Sequence, residues 1–307
     1  MSTIFNSDKV LCNHISEVDL CTYFIGTDFD DSGNEFVRCN DLIKILQEVL
    51  LEFAFGINEA SKISHTQIIS KLSDAAKSIY KIKDFETVRQ LYEEGKDIDS
   101  IKSTKKYLSR GEFGELILHM LLRDFHNTIP LLSKIYFKDS YSFTVHGFDA
   151  VHIEPETQSL WLGESKLYTD GKAGIKELIN DILEHLKKDY LNDEFNIISK
   201  KIKPYDDIPE KKYWLNLMNE NTSLKDILTS VTIPLLCVYT SDTYNQKDFL
   251  KEYEKEMRTL KQYFDDNNSH PLKTKLNIIL ILFPVKNKNE LVKNLHRRLH
   301  TLQGLSS

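Results

Sequence analysis

The stretch LWLGESKLY, Leu160 to Tyr168, begins apolar and then sets Glu164 and Lys166 two positions apart. In an extended chain, residues i and i+2 share a face, so the acid and the amine project together while Ser165 turns to the other side. Trp161, Leu162 and Leu167 around them predict a largely buried strand. A carboxylate and an ammonium in such a place cost several kcal/mol each unless they are paired or hold something.

Upstream, SFTVHGFDAVHIE (142–154) has strand character, and PETQ (155–158) has the composition of a tight turn. A hairpin folded near residue 157 sets Asp149 opposite about residue 165, within one position of both Glu164 and Lys166. Two acids and a lysine then meet on one sheet. This combination suits phosphodiester hydrolysis. Asp149 and Glu164 offer hard oxygen ligands to Mg²⁺ or Mn²⁺, joined by the backbone carbonyl of Ser165. The metal polarises the phosphoryl oxygen and acidifies a water, while Lys166 orients that water or neutralises developing charge.

A helix precedes the hairpin. In RGEFGELILHMLLRDFH (110–126), Glu112, Glu115, His119, Arg123 and His126 recur at helical spacing as a polar stripe on an otherwise apolar helix. A carboxylate from it, Glu115 in preference to Glu112, completes the expected metal shell. The same stripe equally suits a solvent face, above all for His119, Arg123 and His126. His146 and His152 flank Asp149 and are expected to be peripheral. Ser165 lacks the GxSxG setting of a hydrolase nucleophile.

The pattern outward from this centre is regular. LLSKIYFKD (131–139) predicts a strand, GKAGIKELINDILEHLKKDYL (171–191) an amphipathic helix, and VTIPLLCVYT (231–240) a buried strand. A helix at 246–264, a buried strand at 275–285 and a closing helix at 288–300 follow. The class is α/β, a mixed central sheet flanked by helices. NDLIKILQEVLLEFAFG (40–56) and SHTQIISKLSDAAKSIYKI (64–82) predict helices in a mostly helical N-terminal part. A charged connector, 92–110, suggests a boundary near residue 100, dividing a 1–100 region from a 101–307 domain.

Composition narrows the class of function. The 307 residues are 41% hydrophobic and 28% charged, ordinary for a globular protein, with a net charge of −6. That charge speaks against gripping nucleic acid by bulk positive potential. Cys12, Cys21, Cys39 and Cys237 form no CxxC pair and have no zinc spacing, so free thiols are expected. The start lacks a signal-peptide pattern and no apolar run is long enough to span a bilayer, which predicts a cytoplasmic protein with no membrane partner. There is no GxxxxGK[ST] phosphate loop, so any ATP hydrolysis belongs to another protein. Lys172 and Lys176, at the start of the 171–191 helix just beyond the active strand, are the best candidates for DNA contact.

An Asp, then Glu-x-Lys on the next strand, with a Glu on the preceding helix, resembles the PD-(D/E)xK (restriction-endonuclease-like) nuclease superfamily, whose αβββαβ core matches the element order from about 109 to 241. Phe148 stands where that pattern often has proline. RGEFGELIL, GFDAVHI and LWLGESKLYTDGKAGIKELINDI together resemble the HamA-type nuclease subunit of the Hachiman anti-phage defence system. The resemblance implies a Mg²⁺-dependent deoxyribonuclease with Glu115, Asp149, Glu164 and Lys166 as its catalytic set. It further implies a heteromeric complex with a partner helicase, HamB, and release onto DNA on infection. Residues 1–100 are then expected to bind the partner or restrain the enzyme without being needed for the core. Two other readings remain: a catalytically silent nuclease fold serving as a DNA-docking or regulatory subunit, and a restriction-type endonuclease acting alone.

Overall fold

A computed structural model describes residues 3–79, 90–91, 93–96, 108, 111–132, 147–206 and 208–306. Its centre is a seven-stranded sheet in the order β1-β2-β9-β8-β7-β6-β5. The strands are β1 (Leu11–Ser16), β2 (Leu20–Ile25), β5 (Ile129–Pro130), β6 (Ala150–Glu154), β7 (Ser159–Tyr168), β8 (Val231–Thr240) and β9 (Asn277–Val285). The four inner strands β2, β9, β8 and β7 run parallel, while β1, β6 and β5 are antiparallel to their neighbours. Strands covered on both faces need apolar residues at every position, and β8 and β9 are near-continuous apolar runs for that reason. A separate ladder pairs β3 (Thr27–Phe29) with β4 (Glu35–Val37).

Helices cover both faces. On one side lie α1 (Cys39–Phe55), α3 (Ile68–Ile79), α4 (Glu112–Phe125) and α10 (Lys288–Gln303), packed on Leu167, Leu236, Val238, Ile281 and Phe283. The short α2 (Ile57–Ala60) continues from α1. On the other side lie α5 (Gly171–His185), α6 (Lys188–Ile202), α7 (Lys211–Leu217), α8 (Leu224–Ser230) and α9 (Phe249–Asn267), packed on Leu160, Leu162, Leu235, Cys237 and Leu282. The alternation along β7 therefore sends Glu164 and Lys166 towards α5 and Ser165 towards α4. α4 lies close to the sheet because of two glycines. A Cβ on Gly163 would stand 2.9 Å from Leu118 Cδ2, and one on Gly114 would stand 3.0 Å from Ser165 Oγ.

The order α4-β5-β6-β7-α5-β8 realises the αβββαβ succession, with α6, α7 and α8 interposed before β8. Those three helices were not anticipated, because 192–230 mixes charge with short apolar runs and lacks a long stripe. The strand predicted at 131–139 is not found at its start, where Leu131 and Leu132 form a bend directly after β5; residues 133–139, like His146 and most of the 92–110 connector, lie outside the described residues. The N-terminal hundred residues differ from expectation. They hold α1, α2 and α3, but also β1 and β2, and β2 pairs with β9 through Leu20↔Leu280, Cys21↔Ile281 and Thr22↔Leu282. This region completes the sheet and shares its core. Its strands were overlooked because β1 bears exposed Cys12, Asn13 and His14 and departs from strict alternation at a bulge. No helix among the described residues is long and apolar enough to cross a membrane.

Candidate active site

β6 and β7 form the hairpin expected around 155–158, paired Ala150↔Gly163 through Glu154↔Ser159. Continued by one residue, that register sets Asp149 opposite Glu164, one position from the predicted partner. Asp149 itself lies in the bend just before β6, close enough for its charge to act on the Glu164 carboxyl. The Asp149 carboxylate is held at the strand end: Oδ2 accepts from the Ser165 N–H at 2.9 Å and from the Ser165 hydroxyl at 2.8 Å. Ser165 itself faces α4, yet it acts directly on Asp149, a link that strand alternation alone does not reveal.

The other two predicted residues meet partners from α5. Lys166 Nζ lies 2.5 Å from Asp181 Oδ2, and Glu164 Oε1 lies 2.5 Å from His185 Nδ1. Asp181 and His185 are four apart, hence stacked on one side of α5. α6 adds Tyr190, whose ring stacks on His185 at 4.5 Å with 11° between planes. It also adds Glu194, 4% exposed, with an Oε2 that has no hydrogen-bond partner among the described residues. Sequence reasoning missed all four. The signal for two of them was Asp181 and His185 at i and i+4 beside the Ile175, Leu178, Ile182 stripe.

Charge in this setting follows from burial. Glu164 is 4% exposed, and its carboxyl is pushed well above the usual range, first by burial and then by the Asp149 charge. Burial also lowers His185. Burial thus works against charge on both partners of the short Glu164–His185 contact. Burial works against the Lys166 charge, but the Asp181 hydrogen bond and the nearby carboxylates outweigh it and raise the ammonium above its usual value. Glu194 is raised to about 7, mainly by burial. A buried carboxyl raised by a neighbouring carboxylate is chemically suited to a divalent cation, which would neutralise both.

Glu115 occupies a different place. It is buried in the first turn of α4, next to Gly114 on Ser165. Among the described residues no three His, Cys, Asp or Glu side chains are grouped to hold a metal. The further carboxylates whose charge reaches Glu164 are Asp181 and Glu194. Glu112, half-buried, begins the helix. The rest of the stripe is no solvent face. Arg123 Nε donates to Glu52 Oε1 of α1 at 2.5 Å, and Arg123 Nη1 donates to the Thr128 carbonyl at 2.6 Å. His119 Nε2 lies 3.3 Å from the same Glu52 oxygen, and its ring packs edge-on to His152. His152 is buried and shares a hydrogen bond with the Thr128 hydroxyl, away from the acid pair.

Lys172 and Lys176 are exposed on the first turns of α5, with Lys172 Nζ 5.6 Å from the Tyr263 ring centre. A cavity of about 780 Å³ opens there, at the carboxyl ends of β7 and β8 rather than at the acid pair. Asp170, Asp242, Glu252 and Glu256 line it against Lys172 and Lys255. That acidic balance suits a phosphodiester poorly, and the chemistry-bearing residues are the better guide to the site.

The family model described as HamA matches residues 3–299, nearly the whole chain. No curated protein matches the sequence.

Proposed function

We propose that this chain, which belongs to the HamA family and is thereby a component of a Hachiman anti-phage defence system, is the metal-dependent DNase of that system, of PD-(D/E)xK type. The observation that carries the reading is the gathering of Asp149, Glu164 and Lys166 at one end of the β6–β7 hairpin, two interacting carboxyl groups and an ammonium held by Asp181. Asp149 and Glu164, with the Ser165 carbonyl, would hold Mg²⁺ or Mn²⁺. Bound there, the cation would supply Lewis-acid polarisation of the scissile phosphate and a more acidic attacking water. Ser165 fixes the Asp149 carboxylate, and Asp181 keeps Lys166 charged and aimed at the phosphate. Hydrogen-bond donors set in place before reaction are what stabilises charge that develops in the transition state.

Each reactive group already has a protein partner: Glu164 has His185, Lys166 has Asp181, and Asp149 has Ser165. The His185 contact, which takes up a Glu164 oxygen that a cation would need, suits an enzyme restrained until its partner, a HamB-like helicase, releases it onto DNA. The test is plasmid degradation by the chain co-purified with that helicase, in Mg²⁺ or Mn²⁺, against Lys166→Ala. Cleavage that needs the metal and disappears in the variant is the expected result. Undiminished defence by Lys166→Ala and Glu164→Ala variants would instead support the silent regulatory subunit.

A further inference from the structure

The β3–β4 ladder stands apart from the seven-stranded sheet, and residues 27–36 are exposed one after another. An isolated two-stranded hairpin is marginal in water, yet this one is well ordered by its own bonds. Asp30 N–H donates to the Asn34 carbonyl, and Asp30 Oδ1 accepts from the backbone N–H groups of Ser32 and Asn34. Gly33, at φ 78°, supplies the left-handed turn. The base is clamped as well: Arg38 N–H donates to the Gly26 carbonyl, and the Arg38 guanidinium binds Asp41 and the Lys9 carbonyl.

What the hairpin presents is unusual for a surface in contact with water alone. Phe29 is 68% exposed and Phe36 is 45% exposed. The pairing Asp28↔Phe36 and Phe29↔Glu35 puts one ring on each side. Asp28, Asp30, Asp31 and Glu35 accompany them, with no lysine or arginine from 27 to 36. From these features we infer that the β3–β4 hairpin is a docking element for a protein partner whose contact surface is basic and carries apolar pockets for Phe29 and Phe36. Four carboxylates repel nucleic acid and anionic lipid, which excludes both as occupants. They also disfavour a second copy of this chain, itself −6 overall. The hairpin leaves the sheet at the carboxyl end of β2, the end at which parallel β7 closes after Lys166. Three strand spacings, about 15 Å, separate β2 from β7. Through β9 and β8 the register sets Leu20, at the start of β2, level with Glu164, so a partner seated on the hairpin lies at the carboxyl edge of the sheet, beyond the acid pair.

The inference rests on the reading that this chain works in complex with a helicase, and the experiment separates the two. Full-length chain and the co-encoded helicase subunit are purified and their affinity measured at two salt concentrations. The variants are Phe29→Ser with Phe36→Ser, and Asp28→Lys with Asp31→Lys and Glu35→Lys, which leave Asp30 to hold the turn. Each is expected to keep the wild-type melting temperature and to bind at least about tenfold more weakly. Wild-type affinity is expected to fall with added salt. Wild-type affinity in both variants overturns the inference and leaves the partner reading intact. Failure of the wild-type chain to bind the helicase overturns both. A wild-type dimer that the variants dissolve, with helicase binding unchanged, assigns the hairpin to self-association and also overturns it.

Discussion

Lys166 serves a phosphate only while it remains charged and aimed, and Asp181 at 2.5 Å secures both. Glu164 and Lys166 were legible because strand geometry fixes i and i+2 on one face, and Asp149 because a four-residue turn leaves little freedom in register. Asp181, His185, Tyr190 and Glu194 were not, because nothing local distinguishes an i,i+4 polar pair facing a sheet from one facing water. Lys166→Ala is expected to lower DNA cleavage by at least about 10²-fold, comparable to the loss of one preorganised donor, with far-UV circular dichroism unchanged. Retained cleavage would remove the lysine from the mechanism. His126 makes a second prediction at this scale. Hemmed in by Tyr23 and Trp161, its imidazole is lowered by burial to about 4. A folded value below the unfolded one of about 6.5 means that folding expels a proton. The associated stability is present above pH 6.5 and is lost as pH falls towards 4. Melting temperature is therefore expected to drop from pH 7 to 4.5, and to drop less in His126→Gln; equal slopes would contradict this.

At the scale of elements, α4 shows how one sequence pattern serves two structures. Its stripe has the spacing of a solvent face, yet Arg123 and His119 meet Glu52 of α1 in the interior. The deciding residue, Glu52, lies in a helix 71 positions away from Arg123, and no helical period contains that information. Burial alone would raise Glu52, but His119 and Arg123 hold its carboxyl below the usual value, so it is charged in the folded protein. Arg123→Ala would strand that charge and is expected to cost about 3–5 kcal/mol in chemical denaturation; a loss below 1 kcal/mol would show that water reaches the pair. The close seat of α4 gives a second check. Gly163→Ala would push Leu118 away, and a loss of about 1–3 kcal/mol is expected from overpacking.

For the whole molecule, the mixed sheet with helices on both faces was legible from the alternation of buried strands and amphipathic helices. The extent of the sheet was not, because a parallel pairing such as β2 with β9 joins residues about 260 apart in sequence, with no turn to announce it. The consequence concerns residues 1–100. Removing them strips β2 from β9 and uncovers Ile281, Phe283 and the apolar face of α4, all of which pack in one core with α1. A 101–307 fragment is expected to be insoluble or to lack a cooperative thermal transition. A soluble fragment with a sharp melt would show that the N-terminal strands are an addition to a self-sufficient domain.

The central claim, that Asp149 and Glu164 form the metal seat of a nuclease, is tested most directly by crystals of the full chain soaked in Mn²⁺ and measured for anomalous scattering. The account predicts a peak about 2.0–2.6 Å from an oxygen of each carboxylate, with the peak absent in Glu164→Gln. Saturating Mn²⁺ that leaves this pair empty, or that binds elsewhere with the pair undisturbed, would contradict it.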